Sequence, residues 1–275
     1  MKHHTERGGE ALKPPIQLPK HDREAELREY YRTLHHAWGA QHWWPANTRF
    51  EVIVGAYLTQ NTSWNNVEIA LRSLRAAGRL SVKGIRNVNL PELEALVRSS
   101  GFFRQKAGRL KLFVQFLDER YGGSLERMFS QPTNKLRKEL LGLLGVGPET
   151  ADSILLYAGQ HPIFVVDTYT RRILERHGIV NAGARYDEIR TLMERALFPL
   201  SMKSTALTAH PQLQRTGHSP SRISNTKRSS LAQIFNDTHG FIVSTGKHFC
   251  RRTTPICENC PLCKFLPGTV LAATV

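Results

Sequence analysis

Four cysteines, Cys250, Cys257, Cys260 and Cys263, fall within fourteen positions and are the only cysteines among the 275 residues. A disulfide framework staples distant segments, so thiols clustered this tightly predict a metal site. Cys-x2-Cys suits tetrahedral zinc, and four thiolates within reach of one another also ligate an iron–sulfur cube. A second centre is Asp167, where the apolar run Pro162-Ile163-Phe164-Val165-Val166 ends and a helix begins at Thr168. Its carboxylate is an N-cap by position. Fixed at a helix entrance, it is also placed to stabilise a sugar oxocarbenium ion and to orient a water. Twenty residues earlier, Leu143-Leu144-Gly145-Val146-Gly147 forms a tight turn between two helical segments. Gly145 and Gly147 leave their N–H groups uncovered beside a helix N-terminus, where a phosphate can bind without sequence readout. An ordinary glycine turn with no ligand fits the same residues.

The elements that must position these groups are helical. Apolar residues recur at helical spacing over Glu24–His36, in two helices within Phe50–Leu74 broken by Gln60-Asn61-Thr62-Ser63, and over Leu90–Ser99, Lys106–Arg120 and Thr133–Leu144. The pattern continues over Glu149–Ala158, Thr168–His177, Tyr186–Leu197 and Leu231–Lys247, while strand-like alternation is almost absent. The spacing predicts an all-α protein. Residues 1–22 read as a disordered tail, and 203–230, rich in Ser, Thr, Pro, Arg and Lys, as a basic, flexible, solvated insertion.

Lys and Arg number 38 against 23 acids, a formal charge of +15, which favours a polyanionic partner through counterion release. No apolar run approaches the roughly 20 residues that span a bilayer, and the N-terminus has no apolar segment after its charges. A soluble, intracellular protein with no membrane partner is expected.

LLGVGPETADSILLYA followed by VVDTYTRRILERHG resembles the hairpin, Gly/Pro-rich loop and catalytic aspartate of the endonuclease III superfamily of helix-hairpin-helix DNA glycosylases, over roughly residues 45 to 265. The resemblance implies a two-lobed fold: a six-helix lobe at 49–164 ending in the hairpin, and a discontinuous lobe from 23–48 and 165–267, with the DNA groove between them. It implies a monomeric, cytoplasmic, nucleoid-associated enzyme acting on double-stranded damaged DNA. Asp167 becomes the catalytic carboxylate. Bifunctional members carry a lysine where Glu149 stands; a carboxylate cannot form a Schiff base, so base release without strand cleavage is expected.

Trp43-Trp44-Pro45 and Trp64 are similar to the 3-methyladenine glycosylase III branch, where such residues line the base pocket; a cationic alkylated purine stacks well on indole. Core packing is the other reading of these tryptophans. Gln60 matches the position that fills the gap left by a flipped nucleotide, and Thr150, on the hairpin helix, is assigned to DNA. Gly101-Phe102-Phe103-Arg104-Gln105-Lys106 is similar to a second wedge loop, with Phe102 or Phe103 inserting between bases and Arg104 or Lys106 holding phosphate. The Phe pair also reads as core. The first three cysteines match a [4Fe-4S] loop, zinc being the alternative, but Cys263 follows Cys260 sooner than the family pattern has it. Lys247, Arg251, Arg252 and Lys264 flank the loop and present charge to a DNA backbone. Two rival functions stand beside an alkylpurine glycosylase: a glycosylase for oxidised or mismatched bases, and a non-catalytic DNA-binding or damage-sensing protein.

Overall fold

The computed structural model describes residues 20–202 and 218–267, with side chains from residue 23 onward. Twelve α-helices and no strand occur among the described residues, so the fold is all-α. They are α1 (Lys20–Trp38), α2 (Arg49–Leu58), α3 (Trp64–Ala76), α4 (Val82–Asn87), α5 (Leu90–Leu96), α6 (Phe103–Tyr121), α7 (Leu125–Phe129), α8 (Thr133–Leu141), α9 (Pro148–Ser153), α10 (Thr168–Arg176), α11 (Tyr186–Ser201) and α12 (Ser230–His248). Residues 1–19 of the expected tail lie outside the described residues, and the backbone at Lys20 is already helical. Between residues 49 and 164 there are eight α-helices rather than six, because α4 and α7 are too short to show a periodic pattern. Local caps set the boundaries. The Thr48 hydroxyl accepts from Glu51 N at 3.1 Å while Glu51 Oε2 accepts from Asn47 N at 2.9 Å, satisfying orphan donors at the start of α2. Ser81, Asn89, Ser124 and Ser229 cap α4, α5, α7 and α12 through their side chains.

Every residue of α2 from Phe50 to Leu58 is buried, and α2 packs on α3, α6 and α9. In the other half α12 is the central helix, buried over most of Ala232–Gly246 and packed by α1, α10 and α11. The approach of α10 is close enough that a Cβ on Gly246 would lie 2.3 Å from Tyr169 Cδ1. A π-helical turn at Ile154–Ala158 continues α9 and touches both α2 and α12. The Arg137 guanidinium on α8 holds the buried Asp152 carboxylate of α9 at 2.7 and 3.1 Å, which fixes the angle between the two hairpin helices.

Two expectations are corrected here. Lys106 is 1% exposed, and its Nζ donates to Leu58 O at 2.8 Å and Ser100 O at 2.6 Å. It closes the C-terminus of α2, where backbone carbonyls lack helical partners, and cannot reach a phosphate. Burial, with Arg109 nearby, pulls its ammonium down to about 8. Lys106→Met strands both carbonyls, so urea unfolding should show a loss of about 2–4 kcal/mol, with the salt slope of DNA binding unchanged; a reduced slope would restore the phosphate role. The second correction concerns the insertion. Residues 203–217 lie outside the described residues, but 218–230 pack on the protein: Ile223 is 7% exposed, its N–H donates to Ala46 O at 3.0 Å, and Ser221 Oγ donates to Trp44 O at 3.2 Å. The Arg228 guanidinium secures the turn through the carbonyls of Ile223, Ser224 and Thr226.

Candidate active site

The hairpin follows directly from its glycines. Gly145 has φ +78°, and a Cβ there would fall 2.1 Å from Arg109 Nε, so both conformation and space demand glycine. Gly147 is the N-cap of α9, with Pro148 and Glu149 in its first turn. Gln60 braces this turn: its Nε2 donates to Gly145 O and Thr150 Oγ1, each at 2.9 Å, and its Oε1 accepts from Arg109 Nη1 at 3.0 Å. Thr150 is buried with its hydroxyl on Gln60, so its side chain braces the hairpin. Leu144, at the tip, is 71% exposed.

Asp167 caps α10. Its Oδ1 accepts from Thr170 N at 2.7 Å and Thr170 Oγ1 at 2.9 Å, and Oδ2 lies 3.5 Å from His239 Nε2. Burial pushes the carboxyl up, but His239 and the two Thr170 donors outweigh it and leave Asp167 below the usual carboxylate range. Glu149 moves the other way, to about 7, because protein surrounds it on most sides and the Asp167 charge is near. It still meets solvent through the open cavity it lines. Two carboxyls with opposed shifts thus share one cavity, an arrangement able to divide acid from base work.

The cavity holds about 900 Å³ and is lined by Trp43, Trp44, Gln60, Trp64, Gly145, Gly147, Glu149, Thr150, Asp167 and Lys247, which the sequence singled out, and by Arg109, Tyr169 and His239. Trp43 and Trp44, joined by a cis peptide, meet Trp64 with ring centroids 6.5 and 5.3 Å away. Trp44 is mostly core, stacked against Tyr157 at 5.1 Å, whereas Trp43 and Trp64 keep partly open faces. Pro45 is not in the lining; it leads the chain away into the contacts with Ser221 and Ile223. His218 places its ring 5.5 Å from Trp43 and 5.9 Å from Trp64, and Lys247 Nζ stands 5.9 Å from the Trp43 ring centroid.

The Phe pair divides its two readings. Phe102 is 66% exposed, in a left-handed conformation (φ 44°) at the N-cap of α6. Phe103 packs against the core, flanked by the Arg98 and Arg104 guanidinium groups at 5.5 and 5.4 Å, so it is not available as a wedge. The Arg104 side chain is exposed.

Residues 54–199 match the model of the HhH-GPD superfamily of base excision DNA repair proteins. A candidate DNA repair glycosylase of Methanocaldococcus jannaschii is 40% identical over 240 residues, 87% of this chain and 94% of the relative. The chain belongs to the HhH-GPD superfamily. As a member it is a DNA glycosylase of base excision repair. Among solved structures, the 3-methyladenine DNA glycosylase of H. pylori bound to 1,N6-ethenoadenine is 30% identical, with a TM-score of 0.64 over 84% of this chain and 98% of that one. An endonuclease III–DNA covalent intermediate, 22% identical, shares the fold at a TM-score of 0.64 over 91% of this chain and 96% of that one.

In this HhH-GPD protein the cysteines follow α12 directly. Cys250, Cys257, Cys260 and Cys263 line one small cavity with Phe249, Ile256 and Leu266, and none is in a disulfide. Successive turns, Cys260 N to Cys257 O at 3.0 Å and Cys263 N to Cys260 O at 2.9 Å, curl the loop around it. Arg176 of α10 donates to Cys250 Sγ at 3.2 Å and to the carbonyls of Arg251 and Arg252. Burial, reinforced by the other three cysteines, pushes the Cys260 thiol up to about 11. Thiols in such a setting ionise when a metal compensates the charge, so the donor set fits a thiolate-bound group. Among the described residues no three His, Cys, Asp or Glu side chains converge as a ready-made single-ion site.

His239, Tyr157 and Arg109 are the residues around Asp167 and the hairpin that sequence reading missed. His239 and Tyr157 lie in apolar helical stretches 82 residues apart, and neither belongs to a motif. Lys247 was read as a backbone contact, but its place eight residues, about two helical turns, after His239 signals a shared side of α12.

Proposed function

We propose that this protein is a monofunctional, monomeric N-glycosylase that takes an alkylated purine out of double-stranded DNA and hydrolyses its glycosidic bond. The observation that carries the reading is one cavity in which Asp167 and Glu149 face the aromatic wall of Trp43, Trp44 and Trp64. Flipping brings the base into that cavity, where the indoles stack on it. The bond to C1′ breaks with its electron pair leaving on the base, and the ionised Asp167 stabilises the cationic sugar. Water then adds at C1′, and the proton it gives up passes to solvent. Glu149, titrating near 7, can protonate a departing base that carries no charge of its own. Gly145 and Gly147 on the hairpin and the exposed Arg104 hold phosphates, and Phe102 enters the gap in the duplex. The bound 1,N6-ethenoadenine of the H. pylori relative supports a purine. A panel of duplexes bearing 3-methyladenine, 1,N6-ethenoadenine, 8-oxoguanine or a T·G mismatch, scored separately for base release and strand cleavage, tests the reading. Release from the alkylated duplexes without nicking is expected; release confined to the oxidised or mismatched duplexes overturns the substrate class, and release from none overturns catalysis.

Cys250, Cys257, Cys260 and Cys263 would hold a [4Fe-4S] cluster, which would fasten the loop that carries the cations Arg251, Arg252 and Lys264. Four thiols around one cavity, the first three at the spacing that resembles an iron–sulfur loop, support this cluster over a single zinc ion. Metal analysis of anaerobically purified protein should find iron and sulfide; stoichiometric zinc would reverse the assignment. Cys263→Ser should lower the iron content and the Tm together.

A further inference from the structure

His239 of α12 is 4% exposed. Its Nδ1 is 2.6 Å from the Tyr157 hydroxyl, and Tyr157, in the π-helical turn, is itself buried. The opposite ring nitrogen, Nε2, is buried with no hydrogen-bond partner, facing Asp167 Oδ2 at 3.5 Å. A buried donor left unsatisfied is costly, and its persistence beside a reactive carboxylate calls for a reason. The two oxygens of Asp167 are unequal: Oδ1 is engaged by Thr170, so Oδ2 is the one left for chemistry. If the Tyr157 O–H donates to Nδ1, the neutral imidazole carries its proton on Nε2, aimed at that oxygen.

We propose that the buried chain Tyr157–His239–Asp167 positions the reactive oxygen of Asp167, with His239 donating from Nε2 to Oδ2 and Tyr157 fixing the ring. The proposal rests on the reading of Asp167 as the catalytic carboxylate. No proton is transferred in this role; the imidazole holds the carboxylate ionised and directed at the sugar. Hydrogen bonds of this kind are commonly long in a free enzyme and tighten once substrate is bound. The site supplies the means, since His239 also lines the base cavity, 6.0 Å from the Trp43 ring, and a base stacked on Trp43 closes the space around it. His239 is a positioning residue and Tyr157 acts through it.

Asp167 is faced by charged or titratable groups from each element around it: Glu149 on α9, Tyr157 on the π-helical turn, Tyr169 on α10, and His239 and Lys247 on α12. Glu149 and the tyrosines oppose its ionisation when charged, and Lys247 favours it. His239 Nε2 lies 3.5 Å from Oδ2, so its removal should move Asp167.

The test uses the full-length protein and the variants His239→Phe, His239→Gln and Tyr157→Phe. Single-turnover release of 1,N6-ethenoadenine and of 3-methyladenine from duplex DNA is followed against pH. His239→Phe keeps the ring volume without the donor and should slow release about 100-fold, with duplex Kd within a few-fold. The acid limb of its rate profile should shift up by about one pH unit. His239→Gln keeps an N–H and should recover most of the rate; Tyr157→Phe should show a smaller loss in the same direction. Titration of the Asp167 carboxyl by ¹³C NMR, assigned by its loss in Asp167→Asn, reads the same shift without any substrate. If His239→Phe does not fold, the Gln and Tyr157 variants carry the same readouts. An unmoved acid limb and carboxyl titration in folded variants, with Asp167→Asn inactive, overturns the positioning role alone. Wild-type release by Asp167→Asn overturns the catalytic reading beneath it.

Discussion

Asp167→Asn is expected to reduce single-turnover base release by a factor of about 10³ or more, with duplex affinity within a few-fold of wild type. The amide keeps an oxygen that can accept from Thr170 N, so the cap on α10 survives. What disappears is the negative charge at the sugar, and removal of one preorganised electrostatic group of this kind costs about 10²–10³ in rate or more. The amide NH₂ also meets His239 Nε2 donor to donor when it takes the place of Oδ2. Far-UV circular dichroism separates loss of chemistry from loss of fold. Release at the wild-type rate by a folded variant would sink the role of Asp167. Because the folded enzyme holds Asp167 below its ordinary range, its ionisation supports activity above that lowered pKa and is lost as pH falls through it.

Borohydride should trap no covalent protein–DNA complex during turnover, and Glu149→Lys should gain both trapping and strand cleavage. A β-elimination lyase needs an amine that condenses at C1′, and a carboxylate supplies none. The structure adds a control that sequence alone did not suggest. Among the described lining residues Lys247 alone carries an amine, so Lys247→Met belongs beside the wild type. Trapping by the wild type that vanishes in Lys247→Met would make Lys247 the nucleophile and end the monofunctional reading. Glu149 also governs pH dependence. Its carboxyl, held near 7, is protonated below that value, so release of a neutral base should fall about tenfold per pH unit above it. Glu149→Gln should flatten that limb, whereas a cationic base, needing no proton, should show none of it.

Asp167 was legible because two local signals coincide there, the end of an apolar run and the start of a helix, and its cap geometry is what the structure contains. Gly145 was legible for a similar reason: a tight turn between helices needs φ above zero, and the residue has it. Lys106 misled because a lysine beside Phe-Phe-Arg looks solvated, while its real partners, Leu58 O and Ser100 O, include one 48 residues away. Ile223 was hidden by composition, since one apolar residue amid serines and arginines leaves no periodic trace, yet it anchors the segment. Tyr157 and His239 carried no signal at all, because their meaning lies in a 2.6 Å contact between distant helices.

That Ile223 anchor, with Ser221 on Trp44 O and Gly240 against the Trp43 side chain, bears on the order in which the protein is made. The hairpin and Asp167 emerge from the ribosome before Ser221, Ile223 and α12, and domains form from the N-terminus as synthesis proceeds. The tryptophan wall has been synthesised earlier still, but the pieces that hold it, Ser221, Ile223 and α12, come last in this stretch of chain. A nascent chain thus has its hairpin turn and Asp167 well before the cavity around them is complete. The cavity that brings Asp167 and the tryptophans together is therefore closed only once α12, made after both, has seated itself.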